Sequence, residues 1–193
     1  MVVGVLAIQG DFEAHATMLA AVGAEARIVR KARELEGLDA LIIPGGESTT
    51  MTIGVEREGL AEPLRELVEA GTPVLGTCAG LIMLDRDHLG LLDVRTRRNA
   101  FGRQVHSFEA DLDVKGLDGG PLRAVFIRAP WVEETGKGVD VLARIDDKPV
   151  AVRQGNLVGI AFHPELTDDT RVHAWLVDLA RRRRHPESVE EVA

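Results

Sequence analysis

Cysteine is nearly absent: the chain has one, Cys78, so no intrachain disulfide can form. That fits a reducing compartment and places the protein in the cytoplasm as an expectation. Positive charge is not in excess, the formal net charge being −8, which argues against nucleic acid as a partner. No long apolar run is present. The N-terminus passes from Met1 directly into Val2-Val3-Gly4-Val5-Leu6, with no basic leader and too short an apolar stretch for a signal or a membrane span. Repeats, low-complexity stretches and dividing linkers are also missing. The 193 residues therefore read as a single domain, 1–193, long enough to bury a sizeable core.

What is present is organised around that cysteine. In Thr72-Pro73-Val74-Leu75-Gly76-Thr77-Cys78-Ala79-Gly80-Leu81-Ile82, a short apolar strand (Val74 to Thr77) breaks at Cys78 and runs into a helix. Gly-x-Cys-x-Gly is the thiol form of a nucleophile elbow, a strained corner that neighbouring backbone crowds, so that the flanking positions tolerate no Cβ. Amides at the start of the following helix, with its dipole, favour a thiolate there. A buried structural cysteine beside a glycine-rich turn is the alternative.

The first half alternates strand and helix. Val2 to Ile8 and Leu38 to Ile43 are continuous apolar runs, as in strands buried on both faces, and Glu25 to Val29 is a further strand. Asp11 caps a helix carrying Ala14, Met18, Leu19 and Val22; Ser48 to Thr50 and then Glu58 to Ala70 are helical. Repeated strand–helix units imply parallel strands with helices on both faces. The second half differs: Val94, Val105 to Leu112, Leu122 to Ile127 and Val139 to Ile145 read as strands without intervening helices. Pro149 to Arg153 and Leu157 to Phe162 flank a Gln154-Gly155-Asn156 hairpin. Asp168 to Arg184 is a terminal helix, and Arg181 to Arg184 its solvated end. The expected fold is α/β, with a mixed, largely parallel central sheet.

Three further clusters carry chemistry. Pro44-Gly45-Gly46-Glu47-Ser48 ends the third strand, where open α/β sheets bind ligands, and could offer an amide to an oxyanion beside that of Ala79. A plain turn feeding a helix capped by Ser48 is the simpler reading. Phe162-His163-Pro164-Glu165 closes an apolar strand; strand alternation through Pro164 would put His163 and Glu165 on one side, as a base and its orienter. His15, His88, His106, His173 and His185 lack comparable settings, and no third ligand completes a metal site. Arg98-Asn99-Ala100-Phe101-Gly102-Arg103-Gln104 and Phe126-Ile127-Arg128-Ala129-Pro130 could hold a carboxylate or meet a partner, or make only surface salt bridges.

The elbow with His163-Pro164-Glu165 resembles the class I, triad-type glutamine amidotransferases. Six stretches narrow the resemblance to the family of glutaminase subunits of pyridoxal 5′-phosphate synthase. They are Gly4 to Gly10, Pro44 to Thr50, the elbow, Arg98 to Gln104, Phe126 to Pro130 and His163 to Leu166. They stand in the family's order over nearly the whole chain. The segment from Leu84 to His88 is shorter than the family's pattern, a departure expected to affect a surface connection only.

The resemblance implies a flavodoxin-like three-layer sandwich and a glutaminase. Cys78 attacks the side-chain amide of L-glutamine, His163 moves the proton and Glu165 supports the imidazolium. Gly45, Gly46 and Ala79 form the oxyanion hole, and Gly46, Glu47, Ser48, Arg98, Ile127 and Arg128 hold glutamine. It implies no cofactor, no metal and no membrane. Its partner is a separate (β/α)₈-barrel synthase subunit in a hetero-oligomeric complex, which receives the ammonia and on which activity depends. Three other readings remain: a cysteine hydrolase or peptidase, a non-catalytic scaffold subunit, and a glutaminase serving another acceptor such as imidazole glycerol phosphate synthesis.

Overall fold

The computed structural model describes residues 1–98 and 107–185. The expected ligand stretch from Asn99 to Gln104 and the first residues of the strand expected from Val105 lie outside them.

Five parallel strands form the centre of a seven-stranded sheet. β1 (Val2–Leu6), β3 (Ala40–Ile43) and β4 (Val74–Thr77) are apolar runs of the first half, and β2 (Glu25–Val29), with its charged Glu25 and Arg27, is the edge strand beside β1. The remaining strands are β5 (Val94–Arg97), β6 (Ser107–Leu112), β7 (Leu122–Ile127), β8 (Trp131–Thr135), β9 (Asp140–Ile145), β10 (Lys148–Gln154) and β11 (Leu157–Ile160). The sheet order is β2-β1-β3-β4-β11-β10-β9. β11 lies parallel to β4, whereas β10 and β9 continue antiparallel from it. Thus a strand of the second half completes the parallel core. β5 pairs with β8 and β6 with β7 in two separate antiparallel ribbons.

The helices are α1 (Phe12–Ala21), α2 (Ser48–Arg57), α3 (Ala61–Glu69), α4 (Ala79–Leu84) and α5 (Arg171–Arg184). α1 packs on β1, β2 and α5, and α4 packs on β3, β4 and α2. Asp11 caps α1 as expected, its carboxylate accepting from the Ala14 amide at 3.1 Å. α2 runs seven residues beyond the expected Ser48 to Thr50. Its Thr- and Gly-containing sequence is a poor helix former, but Met51 and Val55 are buried, and Gly54 lets the helix approach the turn after β1, where a Cβ would come within 2.2 Å of Ile8 Cγ2. Gly59, at φ +62°, separates α2 from α3. β8 was not anticipated: only Val132 of its five residues is buried, so no alternation marks it.

The core runs along both faces of the sheet and out to the ribbons. Phe126 of β7 stacks on Phe108 of β6 with centroids 4.6 Å apart, and meets Phe162 edge-on at 5.7 Å. Phe162 immediately precedes His163, whose amide donates to Val125 O at 2.9 Å. The β6–β7 ribbon is thereby tied to the residue expected to act as base. Among the described residues no helix is long and apolar enough to cross a membrane.

Candidate active site

β4 and β11 are parallel neighbours in a register that pairs Thr77 with Ile160. Both chains therefore leave the sheet at the same edge: Cys78 is the first residue beyond β4, and His163 the third beyond β11. The Cys78 amide donates to Ile160 O at 2.8 Å, extending the pairing into the corner.

The corner is a strained elbow. Cys78 has φ 49° and ψ −106°, a region costly for a residue with a Cβ, typically by about 1–3 kcal/mol. Its flanking glycines are sterically required: a Cβ on Gly76 would lie 2.6 Å from Gly80 O, and one on Gly80 only 1.9 Å from Ile43 O. The thiol is almost wholly buried and lies 3.8 Å from the Ile127 carbonyl. The amide of Ala79 opens α4 and, as the first helical residue, has no preceding turn to bond to.

His163 Nδ1 and Glu165 Oε1 are 2.7 Å apart. The expected reason for this closeness is corrected by the structure. β11 stops at Ile160, and Pro164–Leu166 form a short 3₁₀ turn entered from His163 in extended conformation. The turn, not strand alternation, brings the two side chains together. The Cys78 sulfur also acts on the imidazole. Burial acts to lower the His163 pKa; the hydrogen bonds and charges of Cys78 and Glu165 outweigh it and hold the ring up at about 10. For Glu165, burial acts to raise the carboxyl, and the His163 hydrogen bond with the charges of His15 and His163 outweighs it, leaving it below its ordinary value.

Gly45 lies between these groups. A Cβ there would come within 2.5 Å of His163 Cε1 and 3.3 Å of Cys78 Cβ. Gly46, Glu47, Ser48, Cys78, Ala79, Arg98, Ile127, Arg128 and His163 line one cleft of about 420 Å³. The structure thus gathers the expected site residues around the sulfur, with Gly45 in the wall beneath. Arg128 has φ 44°, a strained conformation of the kind that clusters at functional sites. Arg98 reaches Thr49 Oγ1 at 3.3 Å and His88 Nε2 at 3.5 Å.

Several details differ from the sequence reading. The cap of α2 is Glu47, not Ser48. Its carboxylate accepts from the Thr49 and Thr50 amides at 3.1 and 2.7 Å and from the Thr50 hydroxyl at 2.8 Å. The Thr50 and Thr49 amides, with the Thr50 hydroxyl, hold its pKa down at about 2. One acceptor site at most is left for a ligand ammonium. The short segment after Leu84 is more than a surface connection. Asp85 is buried, bonds the Thr96 hydroxyl and amide, and lies 2.7 Å from His88 Nδ1, so that His88 faces Arg98. Gln9, Gly10, Ile82 and Pro130 also line the cleft, and the Gln9 side-chain carbonyl accepts from the Glu47 amide at 3.1 Å. Gln9 closes an apolar strand run, and that position was the signal available. His15 and His173, set aside from the sequence, are buried behind Glu165. Among the described residues no group of three or more His, Cys, Asp or Glu could hold a metal ion.

The mixed, largely parallel sheet with helices on both sides is the flavodoxin-like fold of class I glutamine amidotransferases. Comparison narrows the class: the chain belongs to the SNO glutamine amidotransferase family, whose family model matches residues 5–182. It is 57% identical over 189 residues to the pyridoxal 5′-phosphate synthase subunit PdxT of Acidothermus cellulolyticus, covering 91% of each chain. A crystal structure of a glutamine amidotransferase superposes with TM-score 0.88 at 50% identity, over 94% of this chain and 100% of the other. The fold extends further, to a PurLQS structure from Thermotoga maritima at TM-score 0.70 and 18% identity, over 95% and 98% of the two chains.

Proposed function

We propose that this chain is the cytoplasmic glutaminase subunit of a pyridoxal 5′-phosphate synthase, folded as one domain over residues 1–193. It splits L-glutamine and delivers the ammonia to a (β/α)₈-barrel synthase subunit. The observation that carries the reading is the meeting of Cys78, His163 and Glu165 at neighbouring strand ends, with 2.7 Å between imidazole and carboxylate.

The chemistry follows from that arrangement. The Cys78 sulfur attacks the side-chain amide carbon of glutamine, and the carbonyl π electrons move to oxygen. The amides of Gly45, Gly46 and Ala79 receive that oxyanion. His163, holding the proton from the thiol, gives it to the departing nitrogen as the C–N bond breaks. Ammonia leaves, and a glutamyl thioester remains on Cys78. Water then attacks the thioester. His163 takes a proton from it and returns one to sulfur, and glutamate leaves. Glu165 stays ionised and keeps Nδ1–H of His163 oriented throughout. Arg98 and Arg128 suit the α-carboxylate of glutamine, and Glu47 its ammonium. Gly46, Ser48 and Ile127 supply main-chain and wall contacts. The chemistry needs no cofactor and no metal.

The test is ammonia release from glutamine by the full chain, alone and mixed with the synthase subunit. Release that rises on mixing and falls at least about 10³-fold in Cys78→Ala is expected. Full-rate release without the synthase would remove the docking requirement. Undiminished release by Cys78→Ala would remove the thiol mechanism.

A further inference from the structure

The Cys78–His163–Glu165 line continues into the core. His15, in the middle of α1, puts Nε2 3.3 Å from Glu165 Oε2, and its Nδ1 is 2.9 Å from Nε2 of His173 on α5. Both rings are fully buried. Neither Glu165 Oε2 nor His173 Nδ1 has a hydrogen-bond partner among the described residues, the 3.3 Å approach of His15 being an ion-pair contact without hydrogen-bond geometry. Thr77 Oγ1 is the other polar atom near His15 Nε2, at 3.4 Å.

These contacts fix where the protons lie. A lone pair on His15 Nε2 would face an ionised oxygen and leave that buried oxygen with no donor, which is costly. His15 Nε2 therefore carries hydrogen. With a neutral ring, its Nδ1 is an acceptor, so His173 Nε2 must be the donor. The atom left over is then a bare lone pair on His173 Nδ1. Were His15 a cation instead, His173 would have to accept from it and would bury an N–H with nothing to bond. Burial, opposed by the charges of Glu165 and Asp11 and reinforced by that of His163, lowers the His15 pKa. Burial and His15, opposed by Glu165, bring that of His173 down to about 3.

We propose that His15 and His173 form a directed pair of neutral histidines, His173 Nε2–H to His15 Nδ1 and His15 Nε2–H to Glu165 Oε2, that positions the Glu165 carboxylate for His163. The pair rests on the glutaminase reading for its consequence, though not for its geometry. His15 satisfies the far oxygen and fixes the plane of the carboxylate, so that the near oxygen stays aligned on His163 Nδ1. It also spreads the carboxylate's charge, which limits how far Glu165 raises the basicity of the His163 ring, whose other nitrogen must give its proton to ammonia. His15 touches neither thiol nor cleft and is a positioning residue.

Long-range ¹H–¹⁵N spectra of the ¹⁵N-labelled full chain read tautomer and charge directly. Both rings are expected neutral with hydrogen on Nε2 at pH 7. A doubly protonated ring, or hydrogen on Nδ1 of either, overturns the assignment. In the assay with synthase, His15→Phe is expected to lower kcat about 10–100-fold, the scale typical of orienting partners, with KM for glutamine within about twofold. His15→Gln, which can present an N–H near the Nε2 position, should recover part of the loss. A folded His15→Phe with unchanged kcat, in an assay where release still depends on Cys78, overturns the positioning role and leaves the glutaminase standing. Absence of Cys78-dependent release defeats the glutaminase reading instead, while the spectra still decide the proton arrangement. Should His15→Phe not fold, the wild-type spectra and His15→Gln carry the decision.

Discussion

At Glu165 two demands meet in one side chain. It must remain ionised although buried, and it must present one oxygen to His163 at 2.7 Å. Burial opposes ionisation, and the partners on both sides outweigh it. Glu165→Gln removes the charge while nearly preserving shape. It should lower kcat by about 10²–10⁴-fold, since an amide can orient the ring but cannot stabilise an imidazolium. Steady-state ammonia release measures this, and a loss below threefold would mean that Glu165 has no part in proton transfer. The cysteine and His163–Glu165 were legible in the sequence because their spacing and setting are local. His15 and His173 were not: they are 158 residues apart, and only the folded sheet brings α1 and α5 together behind the 3₁₀ turn.

Among the elements, the elbow is fixed by backbone approach. α4 starts so close to the end of β3 that a Cβ on Gly80 would lie 1.9 Å from a carbonyl oxygen that cannot swing away. Gly80→Ala should therefore force β3 and α4 apart and destabilise the protein by about 3 kcal/mol or more. Thermal unfolding measures this; a melting temperature within about 2 °C of wild type would show that the two elements have room. The strand–helix alternation of the first half was readable because buried parallel strands are continuously apolar. The full extent of α2 was not, because its Thr and Gly residues fit a helix only where Gly54 meets Ile8. β8 escaped for a different reason: it pairs as an exposed ribbon with β5, and ribbon pairing leaves little hydrophobic pattern. The mixed sheet itself was anticipated, but the insertion of β11 beside β4 is a tertiary choice. That choice brings His163 to Cys78.

For the whole molecule, the buried histidines set opposing pH dependences. His173 has its pKa lowered to about 3 in the fold, against an unfolded value of 6.5. Below pH 6.5 the unfolded chain binds the proton that the fold refuses, so this contribution is complete above pH 6.5 and lost as pH falls towards 3. The lowered His15 acts in the same direction, and the lowered Glu165 adds to it below its unfolded value of 4.5. His163, raised to about 10, contributes stability that is complete below pH 6.5 and lost as pH rises through 10. Stability should therefore peak near pH 6.5, with each histidine changing the slope by at most about 1.4 kcal/mol per pH unit. Melting curves from pH 3.5 to 10 test this. His173→Phe should flatten the acid side alone, and an unaltered acid slope would contradict the buried neutral ring.

The most direct test of the thiol chemistry is mass spectrometry of the full chain, with the synthase subunit present, after exposure to an electrophilic analogue of glutamine. The account predicts one adduct, on Cys78, prevented by excess L-glutamine and slowed in His163→Ala. Ammonia release that continues from glutamine while Cys78 stays unmodified, or an adduct that glutamine does not compete away, would contradict it.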